Sequence, residues 1–374
     1  MIKKEKEKTF FLTGVTGALG REILKALIQK TSHRLILLVR RKRSLSEQAR
    51  VEKILSGFDA QHLLAERIRV LEGDVTLPGL GLEADEVEML VREVDEFHHI
   101  AALTALNGSK EDCFKINVDG TREVLKVVQE LHRRGKLKRF FYFSTAYVAG
   151  SLQTFCAPED SLPEKPAHAN FYEESKYVAE SHVREAMRQG LPVTIFRPSI
   201  IVGNSKTGEV SEFNVIYPFM KLFAHGILSK LPTDPKNSFN IVPIDFVVDA
   251  ALAIGALPES LGKTYHLVTK EPPQIWMLLE LKEKEHPGMP DIQIIDPEEF
   301  SVGELSEPEQ IVYEMLRPYL GYLNDHLTFR VDNTERVLAK LGMFFPKTDQ
   351  DFIRVLLNYA IEVGYILTGP RTGS

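Results

Sequence analysis

The run Thr9-Phe10-Phe11-Leu12 followed by Thr13-Gly14-Val15-Thr16-Gly17-Ala18-Leu19-Gly20 constrains the fold more than any other stretch. A short apolar run of strand length gives way to a glycine turn. Ile23, Leu24, Leu27 and Ile28 then recur at helical spacing as far as Gln29. Strand, turn and helix in this order aim backbone N–H groups at a helix N-terminus, where a pyrophosphate is favoured. The glycines permit the tight turn and a close backbone approach. Their spacing is GxxGxxG rather than the commoner GxGxxG. An ordinary strand–helix turn is the alternative reading, and the second strand that follows argues against it.

That second strand spans 35–39 and runs into Arg40-Arg41-Lys42-Arg43. Dinucleotide folds that take NAD place an acid near this point for the ribose hydroxyl, whereas an arginine accommodates a 2′-phosphate. Four cations and no acid predict NADPH, with Arg40 as the first candidate for a charge-assisted contact. A solvated basic loop or a nuclear-localisation match are the other readings. A third strand, 68–71, ends in Glu72-Gly73-Asp74-Val75, and Asp74 is placed to accept from an adenine amino group. A fourth, 96–100, leads into Ala101-Ala102-Leu103, small enough at first for backbone to pass close to a cofactor. His98 and His99 lie on this strand and read as packed, since nothing nearby has metal-ligand spacing. Strands alternating with helices predict an α/β fold, a doubly wound parallel sheet.

Strand 140–143 delivers Ser144-Thr145-Ala146-Tyr147 at its carboxyl end, where open α/β sheets bind ligands. Tyr172-Glu173-Glu174-Ser175-Lys176 puts a phenol and an ammonium on one helix face. A nearby cation favours the phenolate, so the pair can exchange a proton near neutrality. Thr145 and Tyr172 together supply two donors for a developing alkoxide. A strand at 193–196 leads into Arg197-Pro198-Ser199-Ile200-Ile201-Val202-Gly203.

TGVTGALG, EGDV, HIAALTAL, NVDGT, FSTAYVAG, YEESK, RPSIIVG and FNIVPIDFVVDAA follow one another across residues 9–251. In this order they resemble the extended short-chain dehydrogenase/reductase superfamily. FSTAYVAG, SKYVAE and RPSIIVGNSKTGE are similar to a narrower branch, the fatty acyl-CoA reductases (male-sterility family) and the thioester reductase domains of carrier-protein assembly lines. The resemblance implies that Thr145 is the catalytic hydroxyl, Tyr172 the proton donor, and Lys176 the group that binds the nicotinamide ribose and lowers the Tyr172 pKa. It implies a pyrophosphate loop of Gly14, Thr16, Gly17, Ala18, Leu19 and Gly20, with Asp74 and Val75 beside the adenine. Asn117 matches a position that supports the active-site helix, and Pro198 and Ile200 flank the nicotinamide. The implied activity is NADPH-dependent reduction of an acyl thioester, on CoA or an acyl carrier protein, to aldehyde or, with a second hydride, to alcohol. A nucleotide-sugar epimerase or dehydratase, a hydroxysteroid-type dehydrogenase, or a non-catalytic NADP-sensing scaffold are the competing readings. Sugar-nucleotide members carry an Arg-Asp pair just before FNIVPIDFVVDAA; here Ser238, Phe239 and Asn240 stand in that region.

A length of 374 residues allows two domains. The expected division is a dinucleotide-binding part, 1–204 with 239–270, and a mainly helical substrate-binding lid, 205–238 with 271–374. Within the first, 239–242 reads as a strand returning to the sheet, 246–257 as a helix and 265–268 as a further strand. Within the lid, 212–228 reads as a helix ending near Gly226. A last helix starts near Thr348, capped with help from Asp351. Its stripe of Phe352, Val355, Leu356, Tyr359, Ala360 and Val363 reads as packing on the lid. The other reading is a lipid-facing or acyl-chain-covering helix, and so a peripheral membrane contact. A net charge of −6 gives no support for nucleic-acid binding. Two cysteines, Cys113 and Cys156, offer neither a disulfide framework nor a zinc site, and no metal is expected. The charged start lacks an apolar signal core, and no run is long enough to span a bilayer, so a cytoplasmic protein is expected. The basic stretch 132–139 suits a helix C-terminus, with docking of an acidic carrier protein as the second reading. Arg371-Thr372-Gly373-Ser374 reads as a frayed end or an added tail.

Overall fold

The computed structural model describes residues 7–42, 45–150, 155–213, 216–225, 229–286, 288, 290–324 and 327–367. Arg43, Gly226 and the last four residues, each part of an expectation above, lie outside that set.

Seven parallel strands form the central sheet: β1 (Thr9–Thr13), β2 (Arg34–Val39), β3 (Ile68–Glu72), β4 (Glu96–His99), β5 (Arg139–Phe143), β6 (Val193–Pro198) and β7 (Lys263–Leu267). Their order is β7-β6-β5-β4-β1-β2-β3. This is the doubly wound α/β arrangement, and the strand order reverses between β1 and β4. Strand side chains alternate between faces, so Phe10 and Leu12 join one core while Phe11 joins the other. Both faces are covered, which is why the strands read as continuous apolar runs.

The helices used below are α1 (Ala18–Lys30), α2 (Glu47–Ser56), α3 (Ala84–Glu93), α4 (Gly120–Arg134), α5 (Phe171–Arg188), α6 (Ile216–Ala224), α7 (Ile244–Gly255), α8 (Ile275–Glu285), α9 (Glu307–Leu320), α10 (Asp332–Leu341) and α11 (Gln350–Glu362). α1, α2, α7 and α10 cover one face of the sheet, and α3, α4 and α5 the other. α6, α8, α9 and α11 form a third cluster with Tyr147, Ile200 and Val202.

Four expectations need correction. Strand Ile241–Pro243 does not return to the main sheet; it pairs in parallel with Ile200–Val202. The seventh strand is instead the 263–267 segment, which adds to β6. α10 lies inside the stretch expected to be lid, yet its Val337 and Leu338 belong to the sheet's core. Asp349, not Thr348, caps α11 by accepting from Phe352 N; the Thr348 hydroxyl donates to Glu271 O instead. Phe352, Ile353, Leu356, Leu357 and Ala360 form the buried face of α11, so it packs in the third cluster, while Val363 is exposed.

Candidate active site

A cavity of about 600 Å³ lies along the carboxyl ends of the strands. Thr13 closes β1 there, and Ile100 follows β4. The turn between β1 and α1 forms its floor. Gly14 has φ +81°, and a Cβ on it would sit 2.4 Å from Ala101 N. A Cβ on Gly20 would sit 2.1 Å from Gly14 O. Both distances are far inside contact, so glycine is required where the loop meets the β4 exit and the helix. No side chain caps α1 at Gly17, which leaves first-turn N–H groups available to an anion.

Gly14, Thr16, Gly17, Ala18, Leu19, Gly20, Arg40, Val75, Ala101, Ala102, Leu103, Thr145, Tyr172, Lys176, Pro198 and Ile200 all line this cavity. Two expected residues do not. Asp74 is turned to its own loop: Oδ1 accepts from Thr76 N at 2.9 Å and Thr76 Oγ1 at 3.0 Å, and Oδ2 lies 3.5 Å from Arg40 Nη1. Its neighbours Gly73 and Val75 take the cavity wall. Asn117 stands one layer back. Leu103 N donates to its Oδ1 at 2.8 Å, and its Nδ2 donates to Leu103 O at 3.0 Å and Ser175 Oγ at 2.9 Å. It sits in a widened π-turn, Phe114–Asp119, that precedes α4.

Asn170 caps α5, accepting from Glu173 N at 3.0 Å, so Tyr172 and Lys176 fall on the first turns. Tyr172 is half-buried and Lys176 fully buried. Burial pushes the Tyr172 phenol up to about 12, and the Thr145 side chain opposes this. Burial also lowers the Lys176 ammonium to about 7, with Glu180 one turn on opposing it. Lys176 Nζ donates to Phe143 O at 2.8 Å and Tyr142 Oη at 3.2 Å. The expected depression of the Tyr172 pKa is therefore not what this geometry gives: the loss of solvent outweighs the Thr145 hydrogen bond. Thr145 caps the turn that follows β5, accepting from Tyr147 N at 3.3 Å, and donates to Pro198 O at 3.4 Å.

Below Lys176, Glu180 accepts from Arg197 Nη2 at 2.6 Å and Arg184 Nε at 2.7 Å. Burial would raise this carboxyl, but Arg197 and Arg184 hold it down at about 2. Nothing in the sequence announces this network, because charges four apart on a helix read as a solvated face. Sequence reasoning misses Arg50 as well. It projects from α2 to the cavity, with Nη1 donating to Arg40 O at 2.5 Å, and Lys42 lines the same end. Burial and then the charge of Arg40 lower the Arg50 pKa, as expected for cations crowded around an anion site. Its only sequence signal is a position on the helix after the basic turn. Tyr319 and Tyr322 from the C-terminal third also line the cavity.

The residues fit a dinucleotide: a glycine floor with free N–H groups, a cluster of cations at one end, and small residues after β4. Ser199 Oγ, on the cavity wall, is buried with no hydrogen-bond partner among the described residues, ready for a polar ligand atom. His98 and His99 are packed within the sheet, and burial lowers both to about 3. Among the described residues no acid, histidine and cysteine cluster is arranged to hold a metal ion, and no helix is long and apolar enough to cross a membrane. Three cations of 132–139 pair with acids of the same chain, Arg133 with Glu130, Arg134 with Glu88, and Lys136 with Asp95.

The sequence profile of the family described as "Male sterility protein" matches residues 12–251. Fatty acyl-CoA reductase wat of Drosophila melanogaster is 29% identical over 282 residues, covering 66% of this chain and 54% of its own length. Carboxylic acid reductase of Mycobacterium tuberculosis is 29% identical over 295 residues, covering 70% of this chain and 24% of its own. The chain thus spans about half, or much less, of these curated relatives. Among solved structures, the terminal R domain of the myxalamid PKS-NRPS biosynthetic pathway superposes with a TM-score of 0.82 at 28% identity, covering 98% of this chain and 93% of that one. The cofactor class these findings and the cradle support is a nicotinamide dinucleotide. The chain belongs to the male sterility protein family, within the extended short-chain dehydrogenases/reductases.

Proposed function

We propose that this protein reduces an acyl thioester, carried on CoA or on an acyl carrier protein, with NADPH, to the aldehyde or, with a second hydride from a second NADPH, to the alcohol. The observation that carries the reading is the meeting of Thr145, Tyr172 and Lys176 in a single cavity that the glycine loop and Arg40, Lys42 and Arg50 also line. The bound nicotinamide supplies the hydride. Thr145 and Tyr172 hold the carbonyl oxygen as it gains charge. A phenol with a pKa of about 12 is fully protonated at neutral pH, so Tyr172 acts as the acid and gives its proton to that oxygen. Collapse of the hemithioacetal frees the thiol and leaves the aldehyde. As the ammonium, Lys176 keeps one donor beyond those given to Phe143 and Tyr142, and that donor orients the ribose. Arg40, Lys42 and Arg50 select the 2′-phosphate.

A nucleotide-sugar substrate has less support. Where a diphosphate-binding arginine would be sought, Phe239 is buried in an apolar cluster and Asn240 clamps the Thr269 backbone. The test is NADPH oxidation by the purified protein with acyl-CoAs, acyl carrier-protein thioesters and UDP-sugars, with products identified. Thioester-dependent oxidation yielding aldehyde or alcohol is expected. Turnover on nucleotide sugars alone rejects the proposal, and so does NADPH binding with no substrate that oxidises it, the behaviour of a sensing scaffold.

A further inference from the structure

Tyr322 stands two residues beyond α9, in the short turn Gly321–Leu323, and lines the reacting cavity. The turn is pinned from outside: Thr233 Oγ1 donates to Leu323 O at 3.1 Å, and Asn324 Nδ2 donates to Pro232 O at 3.0 Å. From there the Tyr322 side chain reaches the start of α5. Its hydroxyl donates to Glu173 Oε1 at 2.5 Å and accepts from Asn170 Nδ2 at 3.0 Å. Asn170 is the cap of α5, and Glu173, fully buried, follows Tyr172 directly. The other Glu173 oxygen accepts from Ala169 N at 3.0 Å. A buried carboxylate needs such donors, so hydroxyl, cap and carboxylate act as one unit.

The same side chain bears on the other donor of the site. Its ring meets Tyr147 edge-on, with centroids 4.9 Å apart, and Tyr147 N donates to Thr145 Oγ1 at 3.3 Å. One residue of the C-terminal third thus touches both arms of the site. Through its hydroxyl it holds the helical turn that carries Tyr172, and through its ring the turn that carries Thr145. Tyr322 has a single hydroxyl proton, and Glu173 takes it, which leaves none to offer a substrate.

We propose that Tyr322 is a positioning residue that sets the spacing between the Thr145 hydroxyl and the Tyr172 phenol, clasping α5 through Glu173 and Asn170 and bracing the Thr145 turn through Tyr147. The inference rests on the thioester reading, in which both groups converge on one carbonyl oxygen. Donors aimed at a developing charge act over a narrow range of distance. A misplacement of about 1 Å costs about 100-fold in rate.

The test is a double-mutant cycle of Tyr322→Phe and Tyr172→Phe on acyl-CoA reduction. Tyr322→Phe keeps the ring and its Tyr147 contact and removes the clasp. It is expected to lower kcat about 10- to 100-fold with KM for thioester and NADPH unchanged. In the Tyr172→Phe background, where no phenol remains to aim, it is expected to add no loss. An equal loss in both backgrounds, or a rise in KM alone, overturns the proposal. Glu173→Gln keeps an acceptor for the Tyr322 hydroxyl and serves should Tyr322→Phe not fold; its smaller loss in kcat should likewise vanish without the Tyr172 phenol. A second arm needs no turnover: amide hydrogen exchange over 173–176 in the substrate-free protein, expected to quicken in Tyr322→Phe. Unchanged exchange there overturns the clasp. If no thioester is reduced but exchange quickens, the clasp stands and the thioester reading falls. If thioesters are reduced and the cycle is additive, the positioning role falls alone.

Discussion

Tyr172 and Lys176 share a helix face, yet burial moves them in opposite directions, the phenol up to about 12 and the ammonium down to about 7. Replacing Tyr172 with Phe removes the acid and should cost about 100- to 10,000-fold in kcat. Steady-state assays measure this, and turnover near wild type would remove Tyr172 from the role. Lys176 carries a second prediction. Between about 7 and the ordinary lysine value of 10.5, the unfolded chain holds a proton that folded Lys176 has released. Stability from this group therefore rises with pH across that window and is lowest below it. Lys176→Met should be more stable than wild type at acidic pH, with the gap closing as pH climbs from about 7 towards 10.5. Denaturant titrations of both proteins across pH check the sign. The placement of Thr145, Tyr172 and Lys176 at one cavity is legible in the sequence because each is tied to a short local pattern, a strand end or one helical turn. Asp74 misleads for the complementary reason: a strand-end acid has local N–H and hydroxyl groups to accept, and here Thr76 takes them.

At the scale of elements, strand and helix positions are readable wherever both faces of a strand are buried. The Ile241–Pro243 strand suggests the wrong partner because three residues carry no register information, and Ile200–Val202 outcompetes the sheet edge. Arg50 escapes a sequence reading because α2 is placed by tertiary packing, its Val51, Ile54 and Leu55 entering the core. That placement gives a cofactor prediction. Arg40→Ala and Arg50→Ala should each raise KM for NADPH about 10- to 100-fold, the worth of a charge-assisted hydrogen bond, and leave NADH far less affected. An equal loss for both cofactors would show that these guanidiniums do not read the 2′-phosphate.

Over the whole molecule, the C-terminal third is joined to the sheet by polar groups distant in sequence. Glu159 accepts from Asn333 N at 2.5 Å, Thr334 N at 3.2 Å and Thr334 Oγ1 at 2.6 Å, so it caps α10 from across the fold. The same carboxylate accepts from His266 N at 3.0 Å on β7. Sequence reading finds a cap only within a few residues of its helix, so this one is invisible to it, and α10 reads as part of the lid. Glu159→Ala leaves several buried donors unpaired and should lower unfolding stability by about 2–5 kcal/mol. Chemical denaturation measures the loss, and hydrogen exchange should rise first in 332–341; unchanged protection there would separate Glu159 from the anchoring of α10.

The Asn117 amide has a consequence for how movement passes through the site. Its nitrogen is shared between Leu103 O and Ser175 Oγ, so the loop after β4 and the first turn of α5 are stitched by one planar group. Neither can drift without stretching the other's bond. A shift of the loop at Ala101–Leu103 is thereby carried through one amide to the helix that holds Tyr172.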